Sequence, residues 1–298
     1  MSPLTTFRRS LHPLFLVGAI ALAMAPRLFA AEPPPAAIER LQVIERSVEG
    51  RLGVAVLDTG TGEAWGYRAD ERFPLCSTFK TLACAAVLQK VDAGKEKLDR
   101  RIRFEPSELV SWSPVTEKRA GGNGMRLLKL CEATMTQSDN TAANLILKTL
   151  DGPEGLTAFV RTLGDEQTRL DRWETDLGEC KPGDPRDTTT PTAVVADVQK
   201  LALGDVLSEK SRAQLVEWLL ANQTGNDTIR AGVPTGWKVG DKTGAGGFGT
   251  RNDVGIIWPP KGAPIVLAVY LTETEVPFAE RNAVIADVTR VIVQALGR

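Results

Sequence analysis

The chain has 298 residues, 43% hydrophobic and 24% charged, with 36 Lys plus Arg against 37 Asp plus Glu. That length suits one large domain or two intertwined layers, and the near balance of charge argues against a nucleic-acid partner. The one histidine, His12, precedes the mature chain expected below, which removes Ser-His-Asp triads, Cys-His pairs and histidine-held zinc. The four cysteines lack C-x-x-C spacing and no glycine loop of the phosphate-cradling kind occurs, so neither a metal nor another cofactor is expected. Acid–base chemistry must then rest on carboxylates, lysines or the two tyrosines.

Residues 1–31 read as a cleaved export signal: Arg8 and Arg9, an apolar stretch over 14–24, then the small residues Ala30 and Ala31. The apolar stretch is too short for an anchor, so the mature protein is expected in the periplasm without stable membrane association. Arg8-Arg9 leaves the Sec and twin-arginine routes both open. Cleavage removes three arginines and takes the formal charge from −1 to −4.

Helical spacing over 36–48 is followed by alternating apolar stretches at 52–57 and 64–67, separated by Asp58-Thr-Gly-Thr-Gly62, the pattern of a hairpin. The middle of the chain reads as helices over 78–91, 125–135, 141–150, 192–203 and 208–220. Three further strands are expected at 237–242, 253–258 and 265–271, then an amphipathic helix over 279–296. This order predicts an α/β fold: an antiparallel sheet flanked by terminal helices, from 32–68 plus 221–298, with an all-helical domain, 69–220, inserted. The junction of two such layers leaves a crevice suited to a ligand.

Ser77-Thr78-Phe79-Lys80 opens the first middle helix, and spacing of three places the hydroxyl and the amine on one face. A lysine in a partly dry cleft can accept a serine proton, and the helix N-terminus offers N–H donors to an oxyanion. S-x-x-K alone is weak, since chance supplies about one per chain of this length. Here Ser138-Asp139-Asn140 follows between two helices and Lys242-Thr243-Gly244 on a strand. The three motifs in this order mark class A β-lactamases and penicillin-binding proteins.

Along nearly all its mature length the chain resembles a class A serine β-lactamase. The resemblance implies a β-lactamase/transpeptidase-like fold and a monomer that hydrolyses penicillins and cephalosporins through an acyl-enzyme. Arg172-Trp173-Glu174 with Leu177, then Arg186-Asp187-Thr188-Thr189, resembles the family's omega loop, whose glutamate activates the hydrolytic water and whose ends Arg172 and Asp187 tie. Ser77 is then the nucleophile, with the oxyanion between the N–H groups of Ser77 and Ala245. Ser138, oriented by Lys80 and Lys242, passes a proton to the ring nitrogen, and Asn140 meets the substrate side chain. Lys242, Thr243, Gly244 and Arg251 line the carboxylate subsite, with Arg281-Asn282 as support for Arg251. Trp112, in Ser111-Trp112-Ser113-Pro114, contacts substrate at the cleft mouth. Cys84 and Cys131 match the family's disulfide positions. Whether Lys80 or Glu174 is the acylation base stays open.

Two positions depart from the family pattern. Gly178 stands where an asparagine usually helps hold the hydrolytic water. Cys76 matches members that bridge it to a cysteine after the K-T-G strand, where this chain has Gly246, so a carbapenemase assignment has no support. Cys180 has no recognised counterpart; it is either a buried thiol or a partner for Cys76, and two free thiols are expected. The rival readings are a D,D-peptidase with slow deacylation, against which Glu174 argues, and a non-catalytic β-lactam sensor.

Overall fold

The computed structural model describes residues 32–298. The export signal expected over 1–31, His12 included, lies outside the described residues.

The chain begins with α1 (Pro35–Ser47), β1 (Arg51–Asp58), β2 (Ala64–Tyr67) and the two-residue β3 (Phe73–Pro74). After a 3-10 turn at Cys76–Thr78 come α2 (Phe79–Asp92), the short strands β4 (Arg101–Ile102) and β5 (Met125–Arg126), α3 (Leu127–Thr136), α4 (Asn140–Thr149) and α5 (Gly152–Thr162). Then follow β6 (Thr188–Thr189), α6 (Pro191–Ala202), α7 (Glu209–Leu220) and the four-residue α8 (Ile229–Gly232). Three long strands, β7 (Lys238–Ala245), β8 (Arg251–Trp258) and β9 (Ile265–Thr272), lead into α9 (Phe278–Ala295).

The main sheet has the order β2-β1-β9-β8-β7, antiparallel throughout, with Val54 opposite Val269 and Val254 opposite Ala268. Every residue of β9 is buried because helices cover both faces, so the strand reads as a continuous apolar run. The pleat sorts its side chains: Ile265, Leu267, Val269 and Leu271 pack against α1 and α9, while Val266, Ala268 and Tyr270 join the helical layer. In that layer α2 is buried all round from Phe79 to Leu88, as a core helix must be. The antiparallel sheet with flanking terminal helices and a helical layer is the expected fold class.

Helix starts follow their caps. Thr190 and Ser208 accept hydrogen bonds from the N–H groups of Ala193 and Ser211, and Pro191 occupies the first turn of α6. The helix α5 has no counterpart in the periodicity reading, because Gly152, Pro153 and Gly155 look like loop punctuation. Those residues are packing devices here: a Cβ on Gly155 would lie 1.6 Å from the Leu150 carbonyl oxygen. Strands β7 and β8 also extend further than expected, placing Lys242-Thr243-Gly244 inside β7 and Arg251 at the start of β8.

All four cysteines are buried free thiols in this structure, so the Cys84–Cys131 bridge implied by the resemblance is not formed in it. Cys84 Sγ lies 3.9 Å from the carbonyl oxygen of Cys131. Burial, with Cys131 beside it, pushes the Cys84 thiol well above its ordinary range, which makes it a poor nucleophile once the core has closed.

Candidate active site

The turn before α2 presents Ser77 at the junction of the two layers. Cys76 adopts a left-handed φ of 44°, which swings the chain from the carbonyls of Pro74 and Leu75 into the helix. Asn252 on β8 holds that approach by donating through Nδ2 to both carbonyls, at 2.8 and 3.3 Å. Strand β7 passes close by: a Cβ on Gly244 would sit 3.0 Å from Cys76 Cβ and 3.1 Å from the Leu75 oxygen. Glycine at 244 therefore brings the next residue, Ala245, alongside the nucleophile turn.

Lys80 is fully buried and surrounded by acceptors. Its Nζ donates to Asn140 Oδ1 at 2.6 Å, to the Ser138 carbonyl at 2.9 Å and to Ser138 Oγ at 3.3 Å, and forms an ion pair with Glu174 Oε1 at 3.0 Å. The same Glu174 oxygen accepts from Ser77 Oγ at 3.5 Å. Helical spacing suggests a direct Ser77–Lys80 contact. Among the described residues Ser77 Oγ instead reaches Glu174, because Ser77 lies in the 3-10 turn rather than in α2.

Ser138 has a left-handed φ of 58° at the break between α3 and α4. Asp139 makes the break rigid. Fully buried, it caps α4 through the Ala142 N–H and accepts from the Val115 and Thr116 N–H groups and the Thr116 hydroxyl at 2.8–3.0 Å. Those bonds carry the 111–116 segment to the cleft mouth. Asn140 donates to the Ser111 carbonyl through Nδ2 at 2.9 Å. Trp112 is 63% exposed, so it is no packing residue, and its indole N–H is fixed on the Gln137 carbonyl at 3.0 Å.

Across the cleft, Asp187 closes the loop that carries Glu174. Its carboxylate accepts from Arg172 Nε at 2.6 Å and from the Asp171 and Arg172 N–H groups at 2.8 and 2.9 Å. Inside the loop Asn144 of α4 clasps Glu174 by its main chain: the Glu174 N–H donates to Asn144 Oδ1 at 2.9 Å, and Asn144 Nδ2 donates to the Glu174 carbonyl at 2.8 Å. Beyond it, a Cβ on Gly178 would meet nothing within 4 Å.

The third wall is β7. Lys242 Nζ donates to Ser138 Oγ at 3.1 Å and to the Thr243 carbonyl at 2.8 Å. Burial above all, with Lys80 next, lowers its amine to about 7. Arg251, also buried, donates to Asn282 Oδ1 at 2.7 Å and to the carbonyls of Gly244 and Thr224; burial lowers its guanidinium below the ordinary value. Arg281 does not share this work, since its Nε donates to the Val276 carbonyl. Of the expected pair only Asn282 supports Arg251.

Ser77, Lys80, Ser138, Asn140, Glu174 and Lys242 thus form one hydrogen-bonded network between the layers, edged by Thr243, Arg251 and Trp112. A model of the β-lactamase enzyme family matches residues 36–296. Beta-lactamase FAR-1 of Nocardia farcinica is 53% identical over 253 residues, 85% of this chain and 80% of its own length. Beta-lactamase OXY-2 of Klebsiella oxytoca is 47% identical, covering 87% of this chain and 89% of its own. An ancestral (GNCA) class A β-lactamase of known structure superposes with a TM-score of 0.85 at 60% identity, over 87% of this chain and 99% of that one. The chain belongs to the class A β-lactamases. It is an enzyme, a β-lactam hydrolase of the kind that confers antibiotic resistance.

Three residues that position this class A site escape motif reading: Asn144, Asn252 and Thr224. Asn144 carries the one usable signal, lying four residues after Asn140 on the same face of α4, where a polar side chain must find a partner. Asn252 donates to the carbonyl of Pro74, while Thr224 accepts from Arg251 through its own carbonyl and shares a hydrogen bond with the Thr243 hydroxyl, partners that no local pattern announces.

Proposed function

We propose that this β-lactamase opens its substrates through a Ser77 acyl-enzyme that Glu174 then hydrolyses. As Ser77 Oγ attacks the lactam carbonyl, its proton leaves toward Glu174, its hydrogen-bond partner. Lys80 is ringed by acceptors and acts as donor, holding the carboxylate and the Ser138 hydroxyl in register. The developing oxyanion sits between the N–H groups of Ser77 and Ala245. Ser138, bonded to both lysines, delivers a proton to the departing ring nitrogen. Lys242, Thr243 and Arg251, with Gly244 letting the strand approach, receive the substrate carboxylate. Asn140 and Trp112 meet its side chain. Glu174 next draws a proton from water, which attacks the ester and frees Ser77.

The observation that carries this reading is the position of Glu174 Oε1, 3.0 Å from Lys80 Nζ and 3.5 Å from Ser77 Oγ. Penicillins and cephalosporins are the proposed substrates. The proposed form is a periplasmic monomer with residues 1–31 cleaved; no described helix is long and apolar enough to cross a membrane. The test is Ser77→Ala. Hydrolysis should vanish, and the intact mass after a penicillin pulse should be that of the bare protein. A covalent adduct on Ser138 or elsewhere would overturn the assignment.

A further inference from the structure

The sulfurs of Cys76 and Cys180 lie 3.2 Å apart, although 104 positions separate the residues in sequence. Cys76 immediately precedes the nucleophile, and Cys180 ends the short 3-10 turn, Asp176–Glu179, of the loop that carries Glu174. The space between them and β7 is kept clear by Gly246, where a Cβ would stand 2.5 Å from Cys180 Sγ and 2.9 Å from Cys76 Sγ. The Gly247 N–H donates to the Gly178 carbonyl at 2.9 Å and docks the loop on the β7–β8 hairpin beside the pair. Neither thiol has a part in the mechanism above.

The two thiols differ in a way that suits exchange chemistry. The close contact with Cys76 is the main cause that lowers the Cys180 thiol below its ordinary range, against the opposing effect of burial. Cys76, deeper in the protein, is raised well above its ordinary range by the same contact and by burial. Cys180, 5% exposed, also lines a cavity of about 130 Å³ between the loop and the Arg51 and Arg72 side chains, so it lies nearer the surface than Cys76 at 1%. The Cys84 and Cys131 thiols are fully buried in the helical core.

We propose that Cys76 and Cys180 are a redox-active dithiol, which a disulfide oxidant converts to a bond stapling the Glu174 loop to the residue before the nucleophile. The Cys180 thiolate attacks one sulfur of the oxidant, whose S–S bond breaks and releases a thiolate. The Cys76 sulfur then attacks Cys180 in the mixed disulfide, giving its proton to a released thiolate and displacing the second. Two electrons pass to the oxidant, which leaves as two thiols. The sulfurs need to close by little more than 1 Å to reach bonding distance. The bond joins the two walls that Ser77 and Glu174 occupy, and it forms irrespective of the chemical roles given to those two residues.

Reduced protein is incubated in native buffer with oxidised glutathione, then denatured, alkylated, and mapped without reduction. The expected result is a cross-linked pair of peptides containing Cys76 and Cys180, appearing before any containing Cys84 or Cys131. The oxidised protein should melt higher than the dithiothreitol-treated form by roughly 5–10 °C, since the bond closes a long loop. Cys180→Ser should remove both the cross-link and that difference. Alkylation of both Cys76 and Cys180 after native oxidation would overturn the proposal, as would a lasting glutathione adduct on Cys180 or a cross-link confined to Cys84 and Cys131.

Discussion

Lys80 and Glu174 form a buried ion pair at 3.0 Å, with side chains 0% and 5% exposed, and Ser77 shares the same carboxylate oxygen. The pair joins α2, which follows the proposed nucleophile, to the opposing loop, which carries the proposed water-activating carboxylate. Glu174→Ala leaves the Lys80 amine in the site as the alternative group to take the serine proton. No equivalent substitute exists for activating water. The variant should therefore still label with a good penicillin, while turnover falls by roughly 10²–10⁴-fold, the usual worth of a general base. The intact mass after a penicillin pulse, followed over time, reads both steps. Unchanged turnover would remove Glu174 from deacylation.

Gly178 offers no side-chain amide to the deacylating water, yet the structure has room for one. A Cβ there contacts nothing within 4 Å, and the backbone is outside the left-handed region that demands glycine. Gly178→Asn should raise the deacylation rate for small penicillins by roughly tenfold or more, by analogy with positioned hydrogen-bond donors elsewhere. It should lower the rate for substrates with bulky side chains, which need that space. Single-turnover deacylation of one substrate of each kind decides the matter. Slowing of both means that the asparagine only crowds the site.

Burial and the neighbouring Lys80 bring Lys242 down to about 7. As pH rises through that value the free enzyme loses the cation proposed to receive the substrate carboxylate. KM for carboxylate-bearing β-lactams should then climb from pH 7 upward. Lys242→Arg keeps its charge at these pH values and should flatten the climb. KM measured from pH 6 to 9 for both proteins is the check, and parallel profiles would assign the rise to another group.

A carboxylate outside the site sets a pH limit on stability. Asp197 of α6 is fully buried, and neither of its oxygens has a hydrogen-bond partner among the described residues. Burial, then Asp165 beside it, raises Asp197 to about 9. The unfolded chain ionises this group near its ordinary value of 3.8, whereas the folded protein keeps the proton. Its stabilising contribution is therefore complete only below about pH 4, and it falls as pH rises until about 9. Asp197→Asn removes the dependence. From pH 5 to 9 the Tm of the natural protein should drop by roughly 10–20 °C more than that of the variant. Equal drops would place the proton elsewhere.

Local patterns carried the helices whose periodicity is unbroken, because burial on one face imposes a period that a single segment displays, and the long central strands, whose two covered faces leave short bounded apolar runs. They failed at α5, where Gly155 serves a close approach to Leu150 that belongs to the tertiary structure. In the site, five side chains with a proposed role, Ser77, Lys80, Ser138, Asn140 and Lys242, stand in three compact motifs and were legible, whereas Glu174 enters only through the resemblance of its loop. The residues that aim them were not. Asn252 grips the carbonyls of Pro74 and Leu75, some 178 positions away, so its meaning exists only in the folded chain. Arg281 and Asn282 show the limit from the other side: neighbours in sequence, they turn to different partners, and only the latter reaches Arg251.

Asn144 holds residue 174 through its main-chain N–H and C=O alone. Those two groups are common to almost every amino acid, so position 174 is a socket whose placement does not depend on the plug. A chain with another side chain there would keep the loop, the nucleophile and the carboxylate subsite, and would take up one drug molecule and keep it. On the proposed mechanism, the difference between an enzyme that destroys β-lactams and a protein that merely soaks them up thus comes down to one replaceable carboxylate. In one direction, a single codon change turns a catalyst into a sponge. In the other, returning the carboxylate to such a variant would turn binding back into hydrolysis.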